Sequence, residues 1–467
     1  MAREEAKFLE GNLFRHIAVM SLTSSVGLMA VFAVDFIDMI FIAMLGKAEL
    51  AAAIGYAGAI LFFTTSFGIG VAIAAGALVA RALGAGDTAE ARTRASNALI
   101  YGVLFGSVFA AIVWAFVPVF VTWLGASGET HALAVHYLRI IVPSLPFLLV
   151  GMVGGAILRA HGDASRAMWA TIIGGVVNAI LDPILIFGLG LDLTGAALAS
   201  VAARISIGAV ALWPIIRIYG GVHIPARDSL LRDLRPIVAI AFPAILTQLA
   251  TPVGQAYVTR AMAEFGEAAV AGMAIVGRLT PLAFGVIFAL SGAVGPVIGQ
   301  NFGAARHDRV RDAFRDALVF VGLFVLGMTA LLFVMRGPIA DIFLADGITR
   351  ELVYLFCGPL ALVFFFNGAL FVGNATFNNL GHPYYSTWLN WGRHTVGTIP
   401  FVILGTMWLG APGVLIGQAV GGVLFGLLAI VLARRVMANA ATPGSGKDKS
   451  EPFQRHIRQI QLFQGRK

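Results

Sequence analysis

Long apolar runs separated by short polar stretches recur twelve times along the 467-residue chain. They lie near residues 14–45, 50–81, 95–118, 132–158, 165–188, 195–219, 236–263, 267–300, 313–336, 350–378, 384–408 and 411–435. A helix needs ~20 apolar residues to cross a bilayer, and these runs reach or exceed that length. None alternates with the period of two that marks a barrel strand, so each run predicts a helix, and they are numbered spans 1–12 here. Several overshoot a minimal crossing, which predicts tilt or protruding ends. The expected class is an all-α polytopic membrane protein.

Composition agrees. Hydrophobic residues make up 59% of the chain and charged ones 12%, whereas soluble domains run at about 25% charged. The 55 glycines suit helices that pack backbone to backbone in lipid. A single cysteine, Cys357, excludes an intrachain disulfide and a thiolate metal cluster. The polar start MAREEAKFLEGNLFRH leads straight into span 1 and does not read as a cleavable signal.

A net charge of +8 would suit a nucleic-acid partner, but its placement serves topology. With the N-terminus cytoplasmic, 24 of the 32 Lys and Arg residues fall on the inner side, 4 on the outer side and 4 within spans. The inner ones include Arg81, Arg92, Arg94, Arg227, Arg232, Arg235, Arg306, Arg309, Arg311 and Arg315; the outer ones are Lys47, Arg260, Arg336 and Arg350. The positive-inside rule then predicts a multi-pass protein of the cell (inner) membrane with both termini cytoplasmic.

The chain also repeats itself. VARALGAGDTAEA (79–91) parallels IGQNFGAARHDRV (298–310), and LRAHGDASRAMWAT (158–171) parallels NNLGHPYYSTWLN (378–390). Gly84 is as far from Gly303 along the chain as Gly162 is from Gly381. A constant offset predicts two six-helix halves in the same orientation, related by an axis along the membrane normal with a cavity between them. The expected division is 1–219 (N-lobe), 220–235 (Arg-rich cytoplasmic linker), 236–435 (C-lobe) and 436–467 (solvated polar tail).

A charge at mid-bilayer costs about 2.5–3.5 kcal/mol on insertion scales, so the exceptions carry information. The first half holds Asp35, Asp38, Arg139, Asp182 and Arg204 within its spans, and the second holds Arg278 and Arg393 with His394 beside it. All three deep carboxylates are in the N-lobe. Asp35 and Asp38 share a face of span 1, and Asn178 and Asp182 share a face of span 5. Pro183 lacks a backbone donor and frees a carbonyl one turn earlier. If spans 1 and 5 adjoin, hard oxygens converge on a site for Na⁺. The same site suits a proton, since adjacent carboxylates in a low dielectric cannot all stay charged cheaply. A structural network, with Arg204 or Arg139 pairing an aspartate, is the other reading. Arg139, near the outer end of span 4, is expected to snorkel, and Phe364, Phe365 and Phe366 to pack against lipid or core. His136, His161 and His394 lack metal-ligand spacing. No GxxxxGK[ST], HExxH or GxSxG motif occurs, so no ATP-driven or catalytic machinery is expected: no catalytic residues, no cofactor, and a transport cycle that an ion gradient must drive.

Several stretches resemble the multidrug and toxic compound extrusion (MATE) family: VDFIDMIFIAMLG in span 1, N-x-x-x-D-P ending in LIFGLG in span 5, the GAALAS that follows, and IGQNFGA. The resemblance covers about residues 10–435. It implies a V-shaped pair of bundles and alternating access, exporting amphiphilic, often cationic compounds in exchange for H⁺ or Na⁺. One subgroup couples through an N-lobe site, whose residues match Asp38, Asn178, Asp182 and Ser200 here, with Ser200 in place of a threonine. Asp38, eight residues before Gly46, takes the aspartate position, and Asp35 stands where asparagine is common. Another subgroup uses C-lobe carboxylates on spans 7 and 10; here those spans carry Gln248, Gln255, Asn374 and Asn378 and no acid at the matching depth. Arg278, Arg393, Gln248 and Gln255 are the candidates for substrate contact. A lipid-linked sugar flippase of the same superfamily is the alternative cargo reading, and a channel or membrane receptor the alternative class. The expected partners are the bilayer and small amphiphilic molecules, without nucleic acid or an obligate protein partner.

Overall fold

A computed structural model describes residues 6–45, 47–220 and 222–441. Among these residues there are helices and turns and no strands. Twelve rods follow the spans: α1 (Leu13–Met44), α2 (Ala48–Gly84), α3 (Thr88–Trp123), α4 (Gly128–Ala160), α5 (Ala164–Gly188), α6 (Asp192–Arg217), α7 (Arg227–Ala263), α8 (Glu267–Gly303), α9 (His307–Ile342), α10 (Gly347–Asn379), α11 (Pro383–His394 and Ile399–Leu409) and α12 (Ala411–Ala441). Eleven are long and apolar enough to cross a membrane. The other, α11, is broken at Thr395–Thr398, so neither part reaches that length alone. Rods overrun the expected spans because polar residues continue the helix beyond its apolar part. Thus α7 starts at Arg227, inside the stretch expected to be linker. The polar tail lies outside the described residues beyond Ala441.

Packing repeats between the halves. In the first, α1 lies on α5, α2 on α3 and α4, α3 on α4, and α4 and α5 on α6. In the second, α7 lies on α11, α8 on α9 and α10, α9 on α10, and α10 and α11 on α12. Each set is one six-helix bundle. The bundles meet through α1 against α8 and α2 against α7 and α8.

The repeated glycines explain that seam. A Cβ on Gly84 would stand 1.9 Å from the Gln300 carbonyl oxygen, and one on Gly303 would stand 2.1 Å from that of Arg81. Arg81 and Gln300 keep the same spacing along the chain as the two glycines, so the contact is made twice, once from each half. Farther along, Gly70 of α2 receives Ile245 of α7, and Gly285 of α8 receives Met29 of α1. Beyond that level Asp35, Phe36 and Met39 of α1, Val253 and Gln255 of α7, and Arg278 and Leu282 of α8 are exposed, so the facing helices part toward the end away from the seam.

The seam is crossed by a short 3₁₀ turn, Lys7–Leu9. Phe8 is 1% exposed. Its N–H donates to Gln300 Oε1 (2.9 Å), while its carbonyl accepts from Asn301 Nδ2 and Arg309, both 3.1 Å. Lys7 Nζ donates to the Gly162 carbonyl in the α4–α5 turn (3.1 Å). The polar start of the chain therefore straps the N-lobe to the C-lobe.

Interruptions of the rods have local causes. Pro143 sits in the 3₁₀ turn that bends α4. After Pro183, α5 ends in wide turns that close five residues back, with Leu189 N–H donating to Ile184 O at 2.8 Å. A similar wide turn in α10 holds Gly358 and Pro359. The second part of α11 is held by a glycine ladder: Gly405 and Gly413 touch backbone to backbone, Gly417 rests on the Phe401 carbonyl and Gly421 on that of Gly397. Such small-residue ridges replace the hydrophobic effect between helices in lipid.

Candidate functional site

Helices α1 and α5 run parallel in a fixed register. Gly27 packs on Met168 and Gly175 on Val34, and the offset in sequence is the same at both contacts. One turn beyond the Val34–Gly175 contact, the register sets Asp38 opposite Asn178. Asn178 Nδ2 donates to Asp182 Oδ2 at 2.7 Å and to Asp38 Oδ1 at 3.3 Å. The two carboxyl groups face each other closely enough to share a hydrogen bond. Asp182 is 1% exposed and Asn178 6%. Asp182 Oδ1 is buried with no hydrogen-bond partner among the described residues. Asp35 is exposed, one turn back on the same face, and close enough to act on Asp38 through its charge.

The chain positions these groups by close backbone contacts. Pro183 follows Asp182 directly, and the wide turns after it bring Leu185 against Gly195 of α6, where a Cβ would lie 2.7 Å from the Leu185 carbonyl carbon. That contact seats the GAALAS stretch and brings Ser200 beside the buried Tyr137 hydroxyl of α4. Tyr137 lies near enough to Asp38, Asp182 and Arg204 to feel their charges. Sequence reasoning missed it: one tyrosine in an apolar span looks like packing, and nothing local marks it.

The arginines do not neutralise the carboxylates. Arg204 donates to the Ile141 carbonyl (3.2 Å) and Ser144 Oγ (3.0 Å). Arg139 is exposed, its guanidinium 5.5 Å from the Trp114 ring. His136 meets Thr194 Oγ1 at 2.8 Å, and His161 meets the Ile157 carbonyl at 3.0 Å. Among the described residues no group of three or more His, Cys, Asp or Glu side chains could hold a metal ion. The oxygens gathered here are two carboxyls and one amide, with the Tyr137 and Ser200 hydroxyls paired nearby; all are hard donors suited to a proton or an alkali cation rather than to a transition metal.

The C-lobe interior is different. Asn390 Nδ2 donates to Asn374 Oδ1 (3.1 Å), and Ser386 Oγ to Asn378 Oδ1 (3.4 Å). Gln255 Oε1 accepts from Gln418 (3.3 Å), and Gln248 is half-buried. Arg278 is exposed on α8, and the Arg393 side chain lies near Asn367 and Gly422. These four candidates for substrate contact do not form one cluster. Phe364 is buried and stacks on Phe284 at 4.1 Å, and the Phe366 backbone supports Gly426, so this part of the aromatic run is core.

A two-lobed, twelve-helix membrane protein with buried acids in one lobe is a transporter architecture. The MatE family model matches residues 24–184 and 243–404, two segments whose starts keep the spacing of the repeated glycines, and the chain belongs to that family. It is 27% identical over 441 residues to a Shewanella oneidensis protein named FAD transporter, spanning 92% of this chain and 96% of that one. It is 27% identical over 345 residues to Multidrug export protein MepA of Staphylococcus aureus, spanning 73% and 75%. The bent form of the Vibrio cholerae MATE transporter VcmN superposes with a TM-score of 0.86 at 25% identity, covering 92% of this chain and 98% of that one. The protein is therefore a multi-pass membrane transporter and not an enzyme.

Proposed function

We propose that the protein is an antiporter that couples entry of H⁺ or Na⁺ at Asp38, Asn178, Asp182 and Ser200 to export of amphiphilic, often cationic compounds by alternating access. One observation carries this reading: a fully buried carboxylate, Asp182, faces a second acid, with one oxygen unpartnered and the nearby arginine engaged elsewhere. A buried, unneutralised acid pair is costly when both members are charged, so it stores a site for a small cation. Tyr137 joins the four residues as a second hydroxyl.

When the acids are ionised, Asp35, Asp38 and Asp182 repel and hold α1 off α5. A proton or Na⁺ lets α1 and α5 close, and the wide turns after Pro183 supply the give in α5. Cargo affinity must differ between the two arrangements, or binding shifts nothing. The charge bias supports a place in the cell (inner) membrane with both termini in the cytoplasm. MepA's name supports drug export and the Shewanella relative's name an anionic dinucleotide.

The test is reconstitution into proteoliposomes with a pH gradient and a sodium gradient imposed separately, following a fluorescent cationic dye. Dye accumulation driven by one of the two gradients is expected. Equal accumulation with neither gradient sinks the reading.

A further inference from the structure

Arg393 lies in the first part of α11, two residues before the break at Thr395. From Leu352 to Ala441 the sequence contains no Asp or Glu, and neither does α7 after Asp233. The helices packed around Arg393, which are α7, α10 and α12, therefore offer no carboxylate at its depth. Among the described residues its guanidinium has no hydrogen bond, ion pair or ring contact.

The buried Gly422 leaves a small space beside it. A Cβ on Gly422 of α12 would meet only Asn367 Oδ1 at 3.4 Å and Arg393 Nε at 3.9 Å. Asn367 Oδ1 is buried without a partner, as are both ring nitrogens of His394, which is 5% exposed. Two polar side chains, Arg393 and Asn367, are thus left unsatisfied beside Gly422, while the His394 ring lies on the other side of α11, against Gly254 of α7. One to two turns before Asn367 on α10, an apolar cleft of about 290 Å³ opens between Pro359, Leu360 and Val363 and, on α12, Ala419, Val420 and Val423. A guanidinium without a counter-ion, next to an apolar cleft, fits an amphiphile with an acidic end: guanidinium pairs carboxylate, sulfonate and phosphate oxygens with directed hydrogen bonds.

We propose that Arg393, with the gap at Gly422 and the adjoining cleft, is a subsite for the oxyanion group of acid-bearing amphiphilic cargo. This rests on the reading of the protein as an amphiphile transporter. It is separate from the coupling assigned to the N-lobe.

Two dyes on the same xanthene ring test it, the anionic carboxyfluorescein and the cationic rhodamine 6G, with binding to purified full-length protein followed by fluorescence anisotropy. Arg393→Gln is expected to weaken carboxyfluorescein at least tenfold and leave rhodamine 6G within twofold; Arg393→Lys should recover part of the loss. Gly422→Val fills the gap without changing a charge and should give the same selective loss, which keeps the test alive if the Arg393 variants do not fold. Absence of carboxyfluorescein binding to the wild type, unchanged binding in Arg393→Gln and Gly422→Val, or equal loss of both dyes overturns the subsite. Asp38→Asn separates the two readings. It should stop gradient-driven movement of both dyes while carboxyfluorescein binding persists; gradient-driven movement in that variant sinks the coupling and spares the subsite.

Discussion

Asp182→Asn separates the structural role of Asp182 from its proposed role in coupling. The Asn178 amide donates to Asp182 Oδ2 at 2.7 Å, and an amide oxygen at position 182 accepts the same bond. The other oxygen, unpartnered among the described residues, becomes an NH₂ that leaves no hydrogen bond broken. The change in stability should therefore be no more than one net hydrogen bond, about 1 kcal/mol in either direction. Transport should respond far more strongly. A gradient of two pH units holds about 2.7 kcal/mol per proton. With one proton exchanged per cation, that supports a concentration ratio of roughly 100. Without a titrating group at 182 the ratio should fall to about 1, while dye still equilibrates down its own gradient. Rhodamine 6G uptake into proteoliposomes of known internal volume reads the ratio directly. A ratio above ~10 in a variant of native thermal stability would refute the coupling role of Asp182.

Asp35→Asn removes the exposed acid and should leave coupled transport partly active with a shifted pH profile; an unchanged profile would mean Asp35 takes no part. Gly303→Val sets a Cβ 2.1 Å from the Arg81 carbonyl oxygen, an overlap rigid helices cannot absorb. A cost of about 1–3 kcal/mol should appear as a lower melting temperature and a longer distance between spin labels on Thr88 and His307, and an unchanged distance counts against the seam. Ala305 holds φ 56° where its repeat partner Gly86 has φ +77°. Ala305→Gly should therefore add roughly 0.5–1 kcal/mol, the relieved strain less the greater freedom of the unfolded chain; a lower melting temperature would contradict this.

The rods were legible because bilayer length and apolarity constrain a sequence more tightly than any local propensity. The halves were legible because Gly84, Gly162, Gly303 and Gly381 keep one spacing. The neighbours Asp38, Asn178 and Asp182 were partly legible: helix periodicity puts Asn178 and Asp182 on one face and the family resemblance selects Asp38 by its spacing from Gly46, but only the α1–α5 register sets Asp38 opposite them. Other features left little local trace. The break in α11 has a modest trace in Gly397 and in Pro400, which opens the second part, and it also depends on Gly397 meeting Gly421 of another helix. Lys7–Leu9 reads only as part of a polar start because its partners, Gly162, Gln300 and Asn301, lie far along the chain. Arg159 reads as one of the positive charges that set orientation, yet its side chain reaches Gly292 of α8, 3.5 Å from where a Cβ would stand. Long-range contacts decide each of these cases.

The paired glycine contact has the form of an isologous interface, in which each side presents the same patch to the other. Every element of it, glycine and receiving carbonyl alike, is present once per repeat. A polypeptide half this long would already contain a self-complementary surface, and two such polypeptides could dock side by side through the same contact. Within one chain the two halves can differ, and here the deep acids Asp35, Asp38 and Asp182 all lie in the first.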